Sequence, residues 1–332
     1  MKNGVVIVTY NRLELLRECL DCVMAQTLPF SHIVVVDNCS TDGTREYLKR
    51  LEEEYAPESK TNRQQEPVRQ QESAPRLQVI YESRNLGGAG GFHDGMRLAD
   101  TLGLDWILII DDDAMIRPDY MELLIKAAEK ESGQNQEKRS VNALAGSVYV
   151  DGKLHTMHGR NVASKLLFVE REIPDTVYTQ ESFLCDCATF CGLAVKGSVV
   201  KEIGLPEKEF FLWYDDSEYS LRLASYGRIL CVPAAGLDHK TKLPQESEGL
   251  LERTGWRHYY GYRNRYHTAK VHFGRLSAAC IALEYHVLSF LSRCMTLRKA
   301  TAEKGRFNVQ MIHDALADGK AGRLGKNQRY CP

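Results

Sequence analysis

The segment WILIIDDDA, from Trp106 to Ala114, places three consecutive aspartates directly after an apolar run. An uninterrupted run of this kind predicts a strand that is buried on both faces, as in the parallel sheet of an α/β protein. Ligands of open α/β sheets bind beyond the carboxyl ends of such strands. Since adjacent carboxylates repel one another, Asp111, Asp112 and Asp113 predict a compensating cation at this edge of the sheet.

Three further runs have the same character. They are VVIVT from Val5 to Thr9, IVVVD from Ile33 to Asp37 and LQVIY from Leu77 to Tyr81. Between the first two, apolar residues recur at helical spacing from Leu13 to Val23. Strands that alternate with helices in this way predict βαβ units and a mostly parallel sheet.

The composition of the 332 residues is that of a globular protein, with 43% hydrophobic and 26% charged residues. A formal net charge of −1 gives no basis for nucleic acid as a partner, because nucleic acid binding needs a concentrated basic surface. Met1 and Lys2 lead into VVIVTY without a secretory signal pattern, so we expect a cytoplasmic protein. Cys185, Cys187 and Cys191 match no common zinc spacing, and we interpret them as buried thiols.

Two regions depart from the α/β pattern. Residues 56–76 are rich in Gln, Glu, Arg and Pro, so burial of apolar surface cannot offset the entropy cost of ordering them. We interpret them as a mobile surface insertion in a main domain that covers residues 1–240. Residues 241–332 are predicted to form a C-terminal helical region.

The C-terminal region contains an apolar stretch from Leu276 to Leu297 that Glu284, His286 and Arg293 interrupt. These ionisable residues argue against a membrane-spanning helix and favour a buried or interfacial one. The preceding WRHYYGYRNRYHTAKVHFGR, residues 256–275, suits a membrane surface with anionic head groups or a contact between subunits. The alternative is an amphipathic helix that packs on the main domain.

The aspartate triplet also indicates the kind of cation. Carboxylate oxygens are hard ligands that suit Mg²⁺ or Mn²⁺, and an ion held by one or two carboxylates keeps coordination positions for phosphate oxygens. In an extended chain, Asp111 and Asp113 share one face while Asp112 points elsewhere. The alternative is that the aspartates only cap a following turn or helix.

Six motifs stand in order along the chain: VVIVTYNR (5–12), VVVDNCSTDGT (34–44), RNLGGAGGF (84–92), IIDDDA (109–114), FCGLAVKGSVVKEIGLP (190–206) and FFLWYDDSEYSLRLASYG (210–227), followed by a lone His239. Together they resemble the inverting family-two glycosyltransferases of the GT-A fold, and within these the galactofuranosyltransferases. The resemblance covers roughly residues 1–270. It implies an α/β fold with a mixed, mostly parallel sheet of about seven strands flanked by helices. It also implies a metal-dependent hexosyltransferase with a C-terminal helical extension.

The resemblance gives a role to each motif. It implies that Asp111 and Asp113 hold Mn²⁺ or Mg²⁺ together with His239, although a lone histidine is more often structural. Asp37 can accept a hydrogen bond from the imide of a nucleotide base. A helix that starts in the glycine-rich turn points N–H groups at phosphate, although such a turn can also be purely structural. The implied nucleotide-sugar site comprises Thr9, Arg12, Asp37, Asn85, Gly87, Gly88, Asp111 and Asp112.

A second pair of acids, Asp215 and Asp216, begins a segment of helical spacing. Inverting sugar transfer needs a carboxylate that takes the proton of the acceptor hydroxyl as its oxygen attacks. The resemblance assigns that role to Asp216, with Asp215 beside the acceptor. Trp213 and Tyr214 offer flat apolar surfaces to the sugar rings of an acceptor. The alternative is ordinary enrichment of acids in the first turn of a helix.

The identities of the sugar donor and of the acceptor are inferred from the resemblance alone. It points to UDP-galactofuranose, with dTDP-rhamnose as the alternative. The acceptor is expected to be a lipid-linked glycan or a growing polysaccharide such as an O-antigen or capsule. The reaction is expected at the inner face of a bacterial cell membrane. The sequence does not decide whether the protein forms a homo-oligomer. A sugar nucleotidyltransferase is a rival, but TYNRLELL lacks the Gly-rich loop that it needs. A glycan-binding protein without catalysis is another, but the expected carboxylates are present.

Overall fold

The structure, a computed structural model, describes residues 1–55, 75–134, 139–241, 255–295 and 302–331. The strands are β1 Asn3–Thr9, β2 His32–Asp37, β3 Arg76–Tyr81, β4 Trp106–Asp111, β5 Ala114–Ile116, β6 Val141–Val150, β7 Lys153–Leu154, β8 Gly159–Ser164, β9 Val169–Glu172, β10 Phe183–Cys185, β11 Cys187–Ala188, β12 Leu193–Lys196 and β13 Arg228–His239. The helices are α1 Leu13–Met24, α2 Thr44–Tyr55, α3 Gly87–Asp100, α4 Tyr120–Gln134, α5 Gly197–Ile203, α6 Asp215–Tyr226, α7 Arg257–Met295 and α8 Ala302–Ala321.

The main sheet has the strand order β10-β13-β6-β12-β4-β1-β2-β3, with β5 beside β13 and β7 beside β6. The neighbours β3, β2, β1 and β4 are parallel, whereas β12 runs antiparallel to β4 and β6. The mixed sheet flanked by helices is confirmed, and all four predicted strands are present. The sheet has ten strands rather than about seven, because β5, β7 and β10 are pieces of two or three residues without a sequence pattern of their own.

The two faces of the sheet bury alternate side chains of each strand. Val5 and Ile7 of β1 face a core shared with α1, α2 and α4. Val6 and Val8 face a second core shared with α3, α5 and α6. Because helices cover both faces, the inner positions of the central strands are apolar on both sides, and this explains the uninterrupted runs in the sequence.

A smaller sheet of three strands, in the order β11-β8-β9, carries side chains toward the acidic helix α6. Its middle strand β8 contains Arg160, which contacts Asp216. Residues 156–172 were not predicted to form strands, because these strands are short and mostly polar.

The C-terminal helix α7 consists of two helices joined at Gly274, where φ is 86°. Before this break, Tyr259, Tyr260 and Tyr266 are buried. Tyr259 and Tyr260 share a cluster with Phe211 of the loop before α6. This half of α7 therefore packs these tyrosines on the main domain, as the alternative interpretation held, and a contact with a membrane or a partner stays a prediction.

After the break, α7 buries Ile281 and Tyr285 and leaves Leu276, Leu283 and Phe290 mostly exposed. Among the helices of the described residues, none combines the length and the apolar character that crossing a bilayer requires.

Two other predictions concern segments away from the sheet. The predicted insertion over residues 56–76 lies outside the described residues up to position 74, and β3 already begins at Arg76. Cys185, Cys187 and Cys191 are free and buried.

Candidate active site

The carboxyl edge of the parallel strands brings predicted site residues together. β1 lies between β2 and β4, with Thr9 opposite Asp37 and Val8 opposite Asp111. Since parallel strands end at the same edge, Thr9, Asp37 and Asp111 lie in adjacent positions there.

Asp112 and Asp113 form the tight turn between β4 and β5, and each is only 3% exposed. Thr9 Oγ1 donates a hydrogen bond to Asp112 Oδ2 over 2.7 Å. Arg12 Nη1 lies 3.2 Å from Asp112 Oδ1 and 2.7 Å from Asp113 Oδ2. Thr9 and Arg12, which were predicted to contact the nucleotide, therefore hold the aspartate turn in this structure.

His239 reaches the same turn from the last strand of the sheet. β13 pairs with β5 so that His239 lies opposite Ala114, and His239 Nε2 is 3.0 Å from Asp113 Oδ1. The ligand atoms of Asp111, Cys191 and His239 lie within 4.8 Å of one another. The three predicted metal ligands, Asp111, Asp113 and His239, are therefore neighbours, although they come from two separate parts of the chain.

Burial and repulsion perturb these acids. Burial and the charge of Asp113 raise the pKa of Asp111 to about 7, and burial raises the pKa of Asp112 to about 6. Burial acts on Asp113 in the same direction, but the hydrogen bond and charge of His239 outweigh it and lower the pKa of Asp113. The cluster thus holds more carboxylates than its one arginine can neutralise, and a cation would favour their ionised forms.

The donor set fits a divalent cation. His239 Nδ1 is buried without a hydrogen-bond partner in the described residues, so the ring has a nitrogen to spare. Burial raises the pKa of the Cys191 thiol well above its usual value, and a neutral thiol is a weak ligand for a hard cation. Asp111, Asp113 and His239 therefore offer the oxygen and nitrogen atoms that Mg²⁺ or Mn²⁺ would use, and Cys191 packs beside them.

Asp37 is fully buried at the end of β2. Its Oδ1 accepts a hydrogen bond from the Ser40 amide over 3.0 Å, and its Oδ2 accepts one from Arg45 Nε over 2.8 Å. Each carboxylate oxygen can accept a second hydrogen bond, so Asp37 can still accept one from the imide of a nucleotide base, as predicted from the sequence. In this structure Asp37 fixes the course of the chain between β2 and α2.

Asn38 organises the turn that precedes α3. Its Nδ2 donates to the Gly87 carbonyl over 2.9 Å, and its Oδ1 accepts from the Leu86 amide over 2.8 Å. Asn85 Oδ1 accepts from the Gly87 amide over 2.8 Å. Asn38 was not among the predicted site residues, and its only signal in the sequence is its place beside Asp37.

The glycines of RNLGGAGGF serve packing within the chain. Gly87 has φ of +74°, and a Cβ there would lie 1.9 Å from the Phe211 carbonyl oxygen. A Cβ on Gly91 would lie 2.6 Å from the Val8 side chain. Only the Phe92 side chain comes within 4 Å of a Cβ on Gly88. Gly87 approaches the loop before α6, whereas Gly88 leaves room for a ligand, so the predicted contact of these glycines with a nucleotide sugar stays a prediction.

Gly87→Ala is expected to lower the free energy of unfolding by about 3 kcal/mol, because the variant combines a strained φ with a clash against backbone. Gly88→Ala is the matched control, with an expected change of about 0.5 kcal/mol or less. Urea unfolding of both variants measures the difference. Equal losses would contradict the packing role of Gly87. If Gly88→Ala loses activity at full stability, a ligand approaches that position.

The loop from Glu209 to Tyr214 leads into α6 with an unusual backbone. Phe211, Trp213 and Tyr214 have φ of 65°, 64° and 68°. A non-glycine residue in this region costs on the order of 1–3 kcal/mol and persists only where its surroundings impose it. We call residues 209–214 the aromatic loop.

The aromatic loop forms one wall of a cavity of about 500 Å³. Trp213, which is 40% exposed, and Tyr214 line it as predicted for an acceptor site. Asp215 does not line it, because its side chain is buried at the start of α6. The full lining is Met157, Arg160, Phe168, Val169, Glu170, Glu172, Trp213, Tyr214, His258, Gly261, Tyr262 and Arg265.

Asp216 lies beside this cavity. Its Oδ2 accepts a hydrogen bond from Arg160 Nη2 over 3.2 Å, and Arg160 itself lines the cavity. Asp216 Oδ1 accepts one from the Ser217 amide over 2.7 Å. The carboxylate is thus oriented from both sides. Arg160, 56 residues away in the chain, could not be linked to Asp216 from the sequence.

The two acidic motifs lie close enough to interact electrostatically. Burial, the charge of Asp216 and, to a smaller extent, the charge of Asp111 raise the pKa of Asp215 to about 8. His158, two residues before Arg160 in the chain, has its ring centroid 5.6 Å from that of His239. Burial and the nearby charge of His239 lower the pKa of His158 to about 3, so this ring is neutral. A larger cavity of about 800 Å³, lined by Leu104, Trp106 and Gly197 among others, contains none of the predicted site residues.

The fold is the GT-A fold. The crystal structure of GalNAc-T7 with UDP, GalNAc and Mn²⁺ superposes with a TM-score of 0.59 at 15% identity, over 97% of this chain and 57% of that one. Residues 4–135 match the model of the glycosyl transferase family 2. Over these residues the chain is similar to the family-two glycosyltransferases.

Curated relatives refine the likeness. The chain is 28% identical to galactofuranosyltransferase GlfT1 of Mycolicibacterium smegmatis over 225 residues. This aligned region covers 67% of this chain and 65% of the relative. It is 25% identical over 227 residues to the dTDP-rhamnosyl transferase RfbF of Shigella flexneri, over 68% of this chain and 64% of that one. The chain thus spans slightly less than two thirds of the length of both relatives.

Proposed function

We propose that this protein transfers galactofuranose from UDP-galactofuranose to a glycan acceptor, with inversion at the anomeric carbon, in bacterial surface glycan synthesis. The observation that carries the proposal is the proximity of the two acidic motifs, because the charge of Asp111 acts on Asp215 and the ring centroids of His158 and His239 are 5.6 Å apart. Asp111 and Asp113 with His239 would form the cation site, and Asp216 is bound by Arg160, which lines the aromatic cavity. Such a division separates donor and acceptor functions within one site.

Asp111, Asp113 and His239 would hold Mn²⁺ or Mg²⁺. When bound, the cation supplies Lewis-acid stabilisation to the departing diphosphate. Arg12 bridges the carboxylates of Asp112 and Asp113 and keeps the aspartate turn in one conformation. The open space at Gly88, at the start of α3, lets phosphate oxygens approach backbone N–H groups.

Asp216 is our proposed general base. Arg160 and the Ser217 amide orient its carboxylate toward an acceptor hydroxyl in the adjacent cavity. The carboxylate takes the hydroxyl proton while the oxygen attacks the anomeric carbon and the diphosphate leaves on the other side of the ring. A single displacement inverts the configuration and needs no covalent sugar intermediate.

The cavity favours a neutral glycan. Its two arginines are already neutralised, Arg160 by Asp216 and Glu170 and Arg265 by Glu284. Its aromatic wall, with Trp213 exposed, suits the apolar faces of sugar rings. If the acceptor is lipid-linked, the exposed Leu276, Leu283 and Phe290 of α7 are suited to the inner face of the cell membrane.

The relatives support two donors. The likeness to galactofuranosyltransferases favours UDP-galactofuranose, and the likeness to a rhamnosyl transferase makes dTDP-rhamnose the second candidate. We further propose that residues 1–240 form the catalytic domain and that residues 241–332 support its acceptor side.

We expect UDP release from UDP-galactofuranose in the presence of Mn²⁺ and a galactan-type acceptor oligosaccharide. The measurement is nucleoside diphosphate release over a panel of UDP- and dTDP-sugars, with mass spectrometry of the product. Turnover of dTDP-rhamnose in preference to UDP-galactofuranose would replace the donor assignment. Absence of glycoside product with every donor and acceptor would remove the proposed reaction.

A further inference from the structure

Two adjacent buried residues of α7 bind the backbone of the aromatic loop. Arg263 Nη2 donates to the carbonyl of Phe210 over 2.9 Å and lies 3.4 Å from that of Glu209. Asn264 Nδ2 lies 2.9–3.0 Å from the carbonyls of Phe210, Leu212 and Trp213.

The carbonyl of Phe211 is bound by the first turn of α3, and that of Tyr214 by the Glu218 amide within α6. The amide of Ala89, in the first turn of α3, donates to the Phe211 carbonyl over 3.3 Å. Every carbonyl from Glu209 to Trp213 therefore accepts a hydrogen bond from outside the loop, and Arg263 or Asn264 supplies the donor in four of the five cases. The strained φ values of the loop are imposed by these contacts.

Arg263 is 1% exposed and Asn264 is 0% exposed. Among the ion pairs of the described residues, none includes Arg263, although burial of a charge without a carboxylate is costly. Its guanidinium instead donates to Gly325 O over 2.6 Å and lies over the rings of Tyr259 and Tyr260. A methionine or leucine could fill the same volume without the cost of burying a charge. We infer that this position requires the several N–H donors of the guanidinium group.

We propose that Arg263 and Asn264 are positioning residues for the acceptor half of the site, an inference that rests on the proposed function. They fix the aromatic loop in its left-handed conformation, which sets Trp213 against the cavity and starts α6 so that Asp216 faces the acceptor. The segment 256–275, with its mixture of aromatic and basic residues, thus acts on the acceptor site from within the fold.

The first test follows the loop itself and needs no substrate. Arg263→Lys keeps the charge and removes the fork, and Asn264→Ala removes the shared donor. Thr268→Val is the matched control, because Thr268 is equally buried one turn further along α7 and its hydroxyl has no partner in the described residues. Hydrogen exchange is measured on peptides that cover residues 207–216 and, as a reference, residues 106–111.

We expect faster exchange at 207–216 in Arg263→Lys and Asn264→Ala, with the reference strand unchanged, and no change in Thr268→Val. Exchange that stays at the parent rate, or that rises equally in loop and strand, would overturn the proposal, because the residues would then serve only general stability.

The second test is kinetic. With Mn²⁺ and UDP-galactofuranose, both variants are expected to lose about 100-fold in kcat, the cost of misplacing groups at the reacting centre. Binding of UDP with Mn²⁺, measured by calorimetry, is expected to stay near the parent value. If the parent protein turns over no sugar donor, the proposed function is wrong. The hydrogen-exchange experiment would still decide whether Arg263 and Asn264 position the aromatic loop. Variants with full kcat would overturn that role.

Discussion

Asp216→Asn is expected to lower kcat about 10²- to 10⁴-fold, because asparagine keeps the shape of the side chain and cannot take the acceptor proton. Affinity for UDP and Mn²⁺ is expected to remain, since Asp216 contacts Arg160 rather than Asp111, Asp113 or His239. Initial rates with saturating donor and acceptor, together with calorimetry for UDP, measure the two effects separately.

Asp215→Asn provides the contrast within the same motif. Burial, then the charges of Asp216 and Asp111, raise the pKa of Asp215 to about 8, so its carboxyl is protonated at neutral pH. Asparagine mimics the protonated carboxyl, and a much smaller loss of rate is expected than for Asp216→Asn. If Asp215→Asn were inactive and Asp216→Asn active, the base would be Asp215 and the assignment made here would be wrong.

Asp113→Ala is expected to lower the transfer rate at least about 100-fold and to abolish its stimulation by Mn²⁺. The variant removes the carboxylate that joins His239 to Arg12. A metal ion supplies several kcal/mol of transition-state stabilisation, and about 1.4 kcal/mol corresponds to tenfold in rate. Titration of chelated enzyme with MnCl₂, read as rate and as bound metal, gives the result.

Cys191→Ala is the control for the cation site, since its sulfur lies within the same cluster. The raised pKa of the thiol keeps it neutral, so Mn²⁺ stimulation is expected to survive in this variant. Loss of bound metal in Cys191→Ala, with normal metal in Asp113→Ala, would show that the ligand set has been misassigned.

The parts of the fold that could be predicted are those where one physical requirement acts on consecutive residues. β1, β2 and β4 are covered on both faces, and each therefore needs an uninterrupted apolar run. β8 and β9 obey no such requirement, because they are short, polar and only partly buried. Their course is set by contacts with distant parts of the chain.

The residues of the candidate site likewise fall into those that could be predicted from the sequence and those that could not. Asp111, Asp113 and Asp216 occur in acidic groups that the sequence displays directly. Arg160 and Asn264 act on partners 56 and about 50 residues away, and nothing beside them in the chain indicates the partner. Gly87 shows an intermediate case, because a glycine predicts close approach but does not say what approaches.

The antiparallel pairing of β13 with β5 has a consequence for biosynthesis. His239 and Asp113 are 126 residues apart, and β13 inserts between β6 and β10. A ribosome-bound chain that ends before β13 therefore exposes three crowded aspartates without the histidine beside them. If Asp113 and His239 hold a cation as proposed, the nascent polypeptide acquires this ion only after translation has passed β13, and transfer activity begins only then.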